Sequence, residues 1–187
     1  RGDYENIKQT LDELNKEEFN NAVDAICRAR RIYVVGGRSS EVLARFFYYY
    51  LNYIFENVKM VSTNSLAESM EDVHRINDQD VIIGISFPRY SMRTVRVMEF
   101  CRRRRAVGIA LTDSAASPMV EYARYNLFAE SNMASIADSL VAPMSVINAL
   151  ITALSLKNKE KVTETMRTLE NIWEEDDVYK TSQDEEE

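Results

Sequence analysis

The sequence predicts an α/β fold, a three-layer αβα sandwich around a five-stranded parallel sheet. Three observations predict it. Short apolar segments alternate five times with helix-length segments of 3.6-residue period. Segments such as "DVIIGIS" (residues 80–86) are apolar on both faces, as strands covered by helices on either side must be. The chain has 187 residues, 45% of them hydrophobic and 28% charged, enough for one domain with a sizeable core.

Each element is justified in turn. Residues 4–29 read as helical, with Ile7, Leu11 and Leu14 spaced 4 and 3 apart and Phe19, Val23, Ile26 and Cys27 continuing the period. "RIYVVGG" is a short strand closed by paired glycines. "SSEVLARFFYYYLNYIFENV" is a long helix, with Ser39 or Ser40 as N-cap and Glu41 in its first turn. Its "ARFFYYYLNYIF" stretch is apolar nearly all round, so it is expected to be buried on more than one side, either within the core alone or with the second side against another subunit. "KMVST" is the second strand, residues 65–75 a short helix carrying His74, and "DVIIGIS" the third strand. "SMRTVRVMEFCRRRR" is a helix and "AVGIALTD" the fourth strand. "SPMVEYA" is expected to be a short helix with Pro118 in its first turn, and "YNLFAE" the fifth strand. Two helices close the chain, over roughly 132–156 and 158–175, with Pro143 kinking the first or marking its true start.

Composition excludes several functions. Residues 174–187 carry eight acids and one lysine, so the whole net charge of −7 sits there and the body is neutral. A neutral body is a poor match for a stand-alone nucleic-acid binder, and the acidic end (176–187) reads as a disordered tail. The "RRRR" run at 102–105 falls at a helix end, where cations favour the dipole. Cys27 and Cys101 lie far apart, in no metal or CxxC spacing, and fit reduced cytoplasmic thiols. One histidine, His74, makes a His-based metal site or a Ser-His-Asp triad improbable on composition; neither a metal nor another cofactor is expected. Neither a signal peptide nor an apolar membrane span is expected; the apolar run at 136–156 is interrupted by Asp138 and Ser139, among others, and reads as a buried helix.

Chemistry is expected where strand order reverses. In the flavodoxin-like order 2-1-3-4-5 that point lies between strands 1 and 3, beyond their carboxyl ends. The loops there are "GGRSS" and "SFPRYS", and both have the composition of an anion site. Gly36 and Gly37 let the backbone turn and approach closely. Ser39 stands next to Arg38 at one helix start; Ser86, Ser91 and Thr94 stand at another, where free N–H groups and the dipole favour negative charge. Arg89 adds a charge-assisted contact. Taken singly, each loop also reads as a helix cap beside a surface arginine.

"RIYVVGGRSSEVLA", "DVIIGISFPRYSMRT", "AVGIALTDSAASPM" and "YARYNLF", in this order, resemble a sugar isomerase (SIS) domain over about residues 20–156. "GIALTDSAASP" is similar to the family's Thr-Asp-x-x-x-Ser-Pro stretch. The resemblance implies the SIS fold and phosphosugar binding, with Ser39, Ser86 and Ser91 as phosphate ligands. Pro88 and Arg89 replace the second Ser and the Gly of the family's Ser-x-Ser-Gly-x-Thr loop, and "SFPRYS" looks like RpiR/MurR-type bacterial regulators. Such regulators join a helix-turn-helix domain to a SIS domain. The resemblance therefore implies a linker helix at 1–29, a SIS domain at 30–175, and DNA binding only through a domain absent from this sequence.

The expected site is Gly37, Arg38, Ser39, Ser86, Arg89, Ser91, Thr94 and Glu130, with a phosphorylated sugar as effector and a homodimer or higher homo-oligomer as the working form. Glu130 is similar in context to the catalytic glutamate of amino-sugar isomerase domains, so it is either a sugar contact, a general base or a water-facing acid. His74 is a weaker candidate, acting if at all across a dimer. The aromatics of "ARFFYYYLNYIF" are also candidates to cap the sugar. The leading expectation is a non-catalytic sensor; the alternative is a small phosphosugar isomerase.

Overall fold

The computed structural model describes residues 1–132, 136–176 and 178. Five strands, β1 (Ile32–Gly36), β2 (Val58–Met60), β3 (Val81–Ile85), β4 (Val107–Thr112) and β5 (Tyr125–Phe128), form one parallel sheet in the order β2-β1-β3-β4-β5. The helices are α1 (Gly2–Glu13), α2 (Lys16–Arg28), α3 (Ser40–Ile54), α4 (Leu66–Val73), α5 (Met92–Arg103), α6 (Val141–Lys157) and α7 (Lys159–Glu175). Every residue of β1 and β3 is buried. Alternation sends Ile32, Val34, Ile83, Ile85 and Leu111 into one core with α2, α3 and α6. Tyr33, Val35, Ile82 and Ala110 enter the other core with α4 and α5. The central strands therefore serve two cores at once, which is why they read as continuous apolar runs. Cys101 is buried in the second core, and burial pushes its thiol up to about 12, so it is a hydrophobic filler and not a nucleophile. Among the described residues no helix is long and apolar enough to cross a membrane.

The first helical stretch divides at Leu14–Asn15, where the Asn15 side chain accepts from the N–H groups of Glu17 and Glu18 and starts α2. Ala22, Val23 and Ile26 of α2 are fully packed in the core, and Arg30, just past its end, grips buried Asp80 with two bonds of 3.0 and 2.8 Å. Helix α1 lies the opposite way from a usual amphipathic helix. Its Ile7 and Leu11 are exposed (36% and 72%), while Asn6 and Thr10 are buried.

Two expected helices change. "SPMVEYA" folds as successive turns, closed by Ser117 N–H to Ser114 O and Val120 N–H to Ser117 O, with only a 3₁₀ turn at Val120–Tyr122. The Tyr122 carbonyl passes so close to Gly108 that a Cβ there would stand 2.7 Å from it, so this segment lies directly on β4. The helix expected from about 132 begins at Val141, so Pro143 marks its first turn and does not kink it. Residues 136–140 are irregular, and among them Asp138 and Ser139 bond through their side chains to distant partners, described below. Residues 133–135, and all of the expected acidic tail except Asp176 and Val178, lie outside the described residues.

Candidate functional site

Gly36 ends β1 and is the register partner of Ile85, which ends β3. The loops that follow, Gly37–Ser39 and Ser86–Ser91, therefore leave the sheet side by side at its reversal point. Together with Asp138 and Leu140 they line a cavity of about 450 Å³. Gly37, Arg38, Ser39, Ser86, Arg89 and Ser91 are thus brought together.

Neither glycine of the first loop has a positive φ; Arg38 does, at 59°, and Arg89 makes the matching turn in the second loop at 63°. Gly37 is needed for closeness: a Cβ on it would meet Ser91 Oγ at 2.6 Å. Ser86 is buried and its Oγ accepts the Ser91 N–H at 3.1 Å. Ser91 is the N-cap of α5, loosely, with the Thr94 N–H at 3.5 Å from its Oγ. Thr94 is fully buried beneath Gly37 and Ser91 and does not line the cavity; its Oγ1 has no hydrogen-bond partner among the described residues. Ser39 occupies the N-cap position of α3 without capping it. Its hydroxyl instead donates to Asp138 Oδ2 at 3.0 Å, and Arg89 Nη2 reaches Asp138 Oδ1 at 3.5 Å. A serine that gives up its cap bond to an anion across a cavity departs from the plain helix-cap pattern.

Phe87 is 4% exposed and packs down into the core, leaving the cavity open between Pro88 and the serines. The loop is held from behind. The Tyr90 hydroxyl donates to Asp113 Oδ1 at 2.8 Å, and Thr112 and Ser114 hydroxyls donate to the same carboxylate at 3.1 and 3.0 Å. Burial, reinforced by the bond to Asp113, pushes the Tyr90 phenol up to about 12, so it remains a donor.

Glu130 is not in this cavity. It lines an adjoining one of about 520 Å³ with Asp113, Ser114, Ser131 and Asn132, which shares Pro88, Arg89 and Asp138 with the first. Its carboxylate accepts from Asn132 Nδ2 at 2.8 Å and its N–H donates to Thr10 of α1 at 2.9 Å. His74 is exposed at the end of α4, with ring partners Glu71 O and Arg75 Nε, and lines neither cavity. Sequence reasoning missed Asp138, read only as a polar break in an apolar run, and it gave no role to Asp113 within "LTDSAASP".

A five-stranded αβα sheet with two serine-bearing loops at its reversal point defines the class of protein, and the chain belongs to the SIS domain family, whose model matches residues 25–153. More particularly, it is related to the RpiR family of helix-turn-helix (HTH) transcriptional regulators. The sugar isomerase domain of an RpiR transcription factor from Sphaerobacter thermophilus is 28% identical, with a TM-score of 0.85 over 91% of this chain and 94% of that one. HTH-type transcriptional regulator HexR of Escherichia coli K12 is 25% identical over 181 residues, 92% of this chain and 61% of the regulator. An HTH-type transcriptional regulator of Haemophilus influenzae is 28% identical over 160 residues, 83% of this chain and 54% of that protein. The NanR protein of Vibrio vulnificus, solved in complex with ManNAc-6P, shares the fold at 16% identity, with a TM-score of 0.79 over 91% of this chain and 66% of that one. The chain thus spans little more than half the length of the curated regulators it matches.

Proposed function

We propose that this chain is the phosphosugar-sensing effector domain of a transcriptional regulator. The phosphate lies between Gly37–Ser39 and Ser86–Ser91, at the starts of α3 and α5. The sugar extends toward Glu130 and Asn132 in the adjoining cavity. DNA is contacted by a helix-turn-helix segment outside this sequence, and a homodimer couples ligand to DNA by placing two such segments on their half-sites. The observation that carries the reading is the pairing of Ser39 and Arg89 on one anionic group in the cavity at the sheet's reversal point. The relationship to RpiR-type regulators, and the phosphosugar held by NanR, favour the same reading. Glu130 then serves as a hydroxyl acceptor and not as a base.

A thermal-shift panel of phosphosugars against the same sugars unphosphorylated tests this. Ligand at about 100 times its dissociation constant stabilises the fold by roughly 2.7 kcal/mol, a rise on the order of 5–10 °C at this chain length. Ser86→Ala lowers the affinity without lowering the ligand-free melting temperature by more than a few degrees. Equal shifts with and without phosphate would refute the site. Turnover of the stabilising sugar would move the assignment to an isomerase with Glu130 as base.

A further inference from the structure

Two of the donors assigned to the ligand, Ser39 and Arg89, are already engaged. Asp138 is 14% exposed at its side chain; one of its carboxylate oxygens accepts from Ser39 and the other faces Arg89. A serine hydroxyl carries one hydrogen and can donate to one acceptor at a time. A phosphate reaching for Ser39 must take that hydrogen from Asp138, and two anions held side by side in a part-buried cavity repel each other. Building on the phosphosugar reading, we propose that Asp138 is an internal occupant of the anion site. The ligand's phosphate displaces it, and its departure loosens α1.

The link to α1 is made of hydrogen bonds from one short stretch of chain. Ser139 Oγ, next to Asp138, donates to Asp3 at 2.6 Å. Asn6 Nδ2 donates to the carbonyl of Asn132 at 3.2 Å, and Thr10 Oγ1 accepts the N–H of Glu130 at 2.9 Å. Beside its packing against α6, these are the polar inward contacts of a helix whose buried residues are Asn6 and Thr10. Twelve residues are too few for a helix to persist in water without support, and α1 has little apolar burial to hold it. Its docking is therefore weak enough for the loss of one partner segment to register. Occupancy of the anion site and order in α1 become two readings of one equilibrium, with Asp138 counting as the unliganded state.

The test compares wild type with Asp138→Asn and Glu41→Gln. The second variant removes the same charge from the first turn of α3 at a residue that does not line the cavity. Inorganic phosphate and N-acetylmannosamine 6-phosphate are titrated calorimetrically, and amide hydrogen exchange is followed over residues 2–13. Asp138→Asn is expected to bind phosphate at least fivefold more tightly than wild type, and Glu41→Gln within twofold of it. Asp138→Asn without ligand, and wild type saturated with phosphate, are both expected to exchange faster in α1. Equal or weaker phosphate binding by Asp138→Asn overturns the proposal and leaves the phosphosugar reading standing, since Asp138 would then be a bystander or a ligand contact. An equal gain in Glu41→Gln reduces the effect to general charge and also overturns it. Binding of neither probe by either variant sinks both the proposal and the reading beneath it. Tighter binding with unchanged exchange overturns the coupling to α1.

Discussion

At the scale of single residues, three arginines hold the left-handed backbone conformation that suits glycine: Arg38, Arg89 and Arg105, with φ of 59°, 63° and 65°. For an L-residue this costs about 1–2 kcal/mol. Arg105 lies past the end of α5, where its N–H bonds Arg102 O and the Ala106 N–H bonds Cys101 O, the closing pattern in which glycine is usual. Arg105→Gly should therefore stabilise the fold by about 1 kcal/mol and leave phosphosugar affinity alone. Arg89 pays the same backbone cost inside the site, where its side chain faces Asp138. Arg89→Gly should be no less stable than wild type, yet bind phosphosugar about tenfold more weakly, through loss of a charge-assisted contact. Urea midpoints and titration read the two effects separately. A loss of more than about 1 kcal/mol in either variant would contradict the strain argument. The same residues explain what the sequence made legible. Gly37, Ser39, Ser86 and Ser91 follow strand ends or start helices, so local patterns reveal them. Asp138 reaches Ser39 across 99 positions of chain, and no local period encodes such a contact.

At the scale of elements, the site depends on how closely α3 lies on β1. A Cβ at Gly36 would stand 2.7 Å from the Ser40 carbonyl and 2.9 Å from Ala44 Cβ, both fixed to the helix. A Cβ at Gly84 would meet Met98 Sδ at 2.7 Å and Cγ at 2.9 Å, atoms of a side chain that can swing away. Gly36→Ala is therefore expected to cost about 2–3 kcal/mol in denaturant unfolding and Gly84→Ala about 1 kcal/mol or less. Gly36→Ala should also weaken phosphosugar binding, because it lifts Ser39 and the helix start from the cavity; Gly84→Ala should not. Similar costs for both would mean that α3 is free to shift. Strands β1 and β3 were readable as short continuous apolar runs, and helices α3 and α5 because their burial follows their own periodicity. Helix α1 shows where periodicity misleads: its apolar stripe was legible, but its inward side lies against α6 and bonds Glu130, Asn132 and Ser139, so Asn6 and Thr10 are buried and the apolar stripe remains outside.

For the whole molecule, that exposed stripe bears on assembly. Tyr4 (65%), Ile7 (36%) and Leu11 (72%) face outward on α1. Tyr49 and Tyr50 of α3 are exposed too (54% and 38%), although α7 covers part of that face, so the second side expected for α3 is met in part within the chain. The tyrosines also satisfy one another, with Tyr49 and Tyr53 hydroxyls 2.6 Å apart and rings stacked edge to face. Among the described residues the aliphatic groups of α1 join neither core, and leaving them in water forgoes on the order of 2 kcal/mol per large side chain. The proposed homodimer is therefore expected to use α1. Sedimentation at micromolar concentration should give two chains for wild type, one chain for Leu11→Lys and two for Tyr49→Lys, with the heat-induced transition of Leu11→Lys still cooperative. The opposite pattern would put the contact on α3 and remove α1 from the interface. If α1 does carry the contact, the helix that ligand binding loosens is the helix that sets how two subunits meet. A displaced phosphate-site carboxylate would then reach a DNA half-site through a single polar seam.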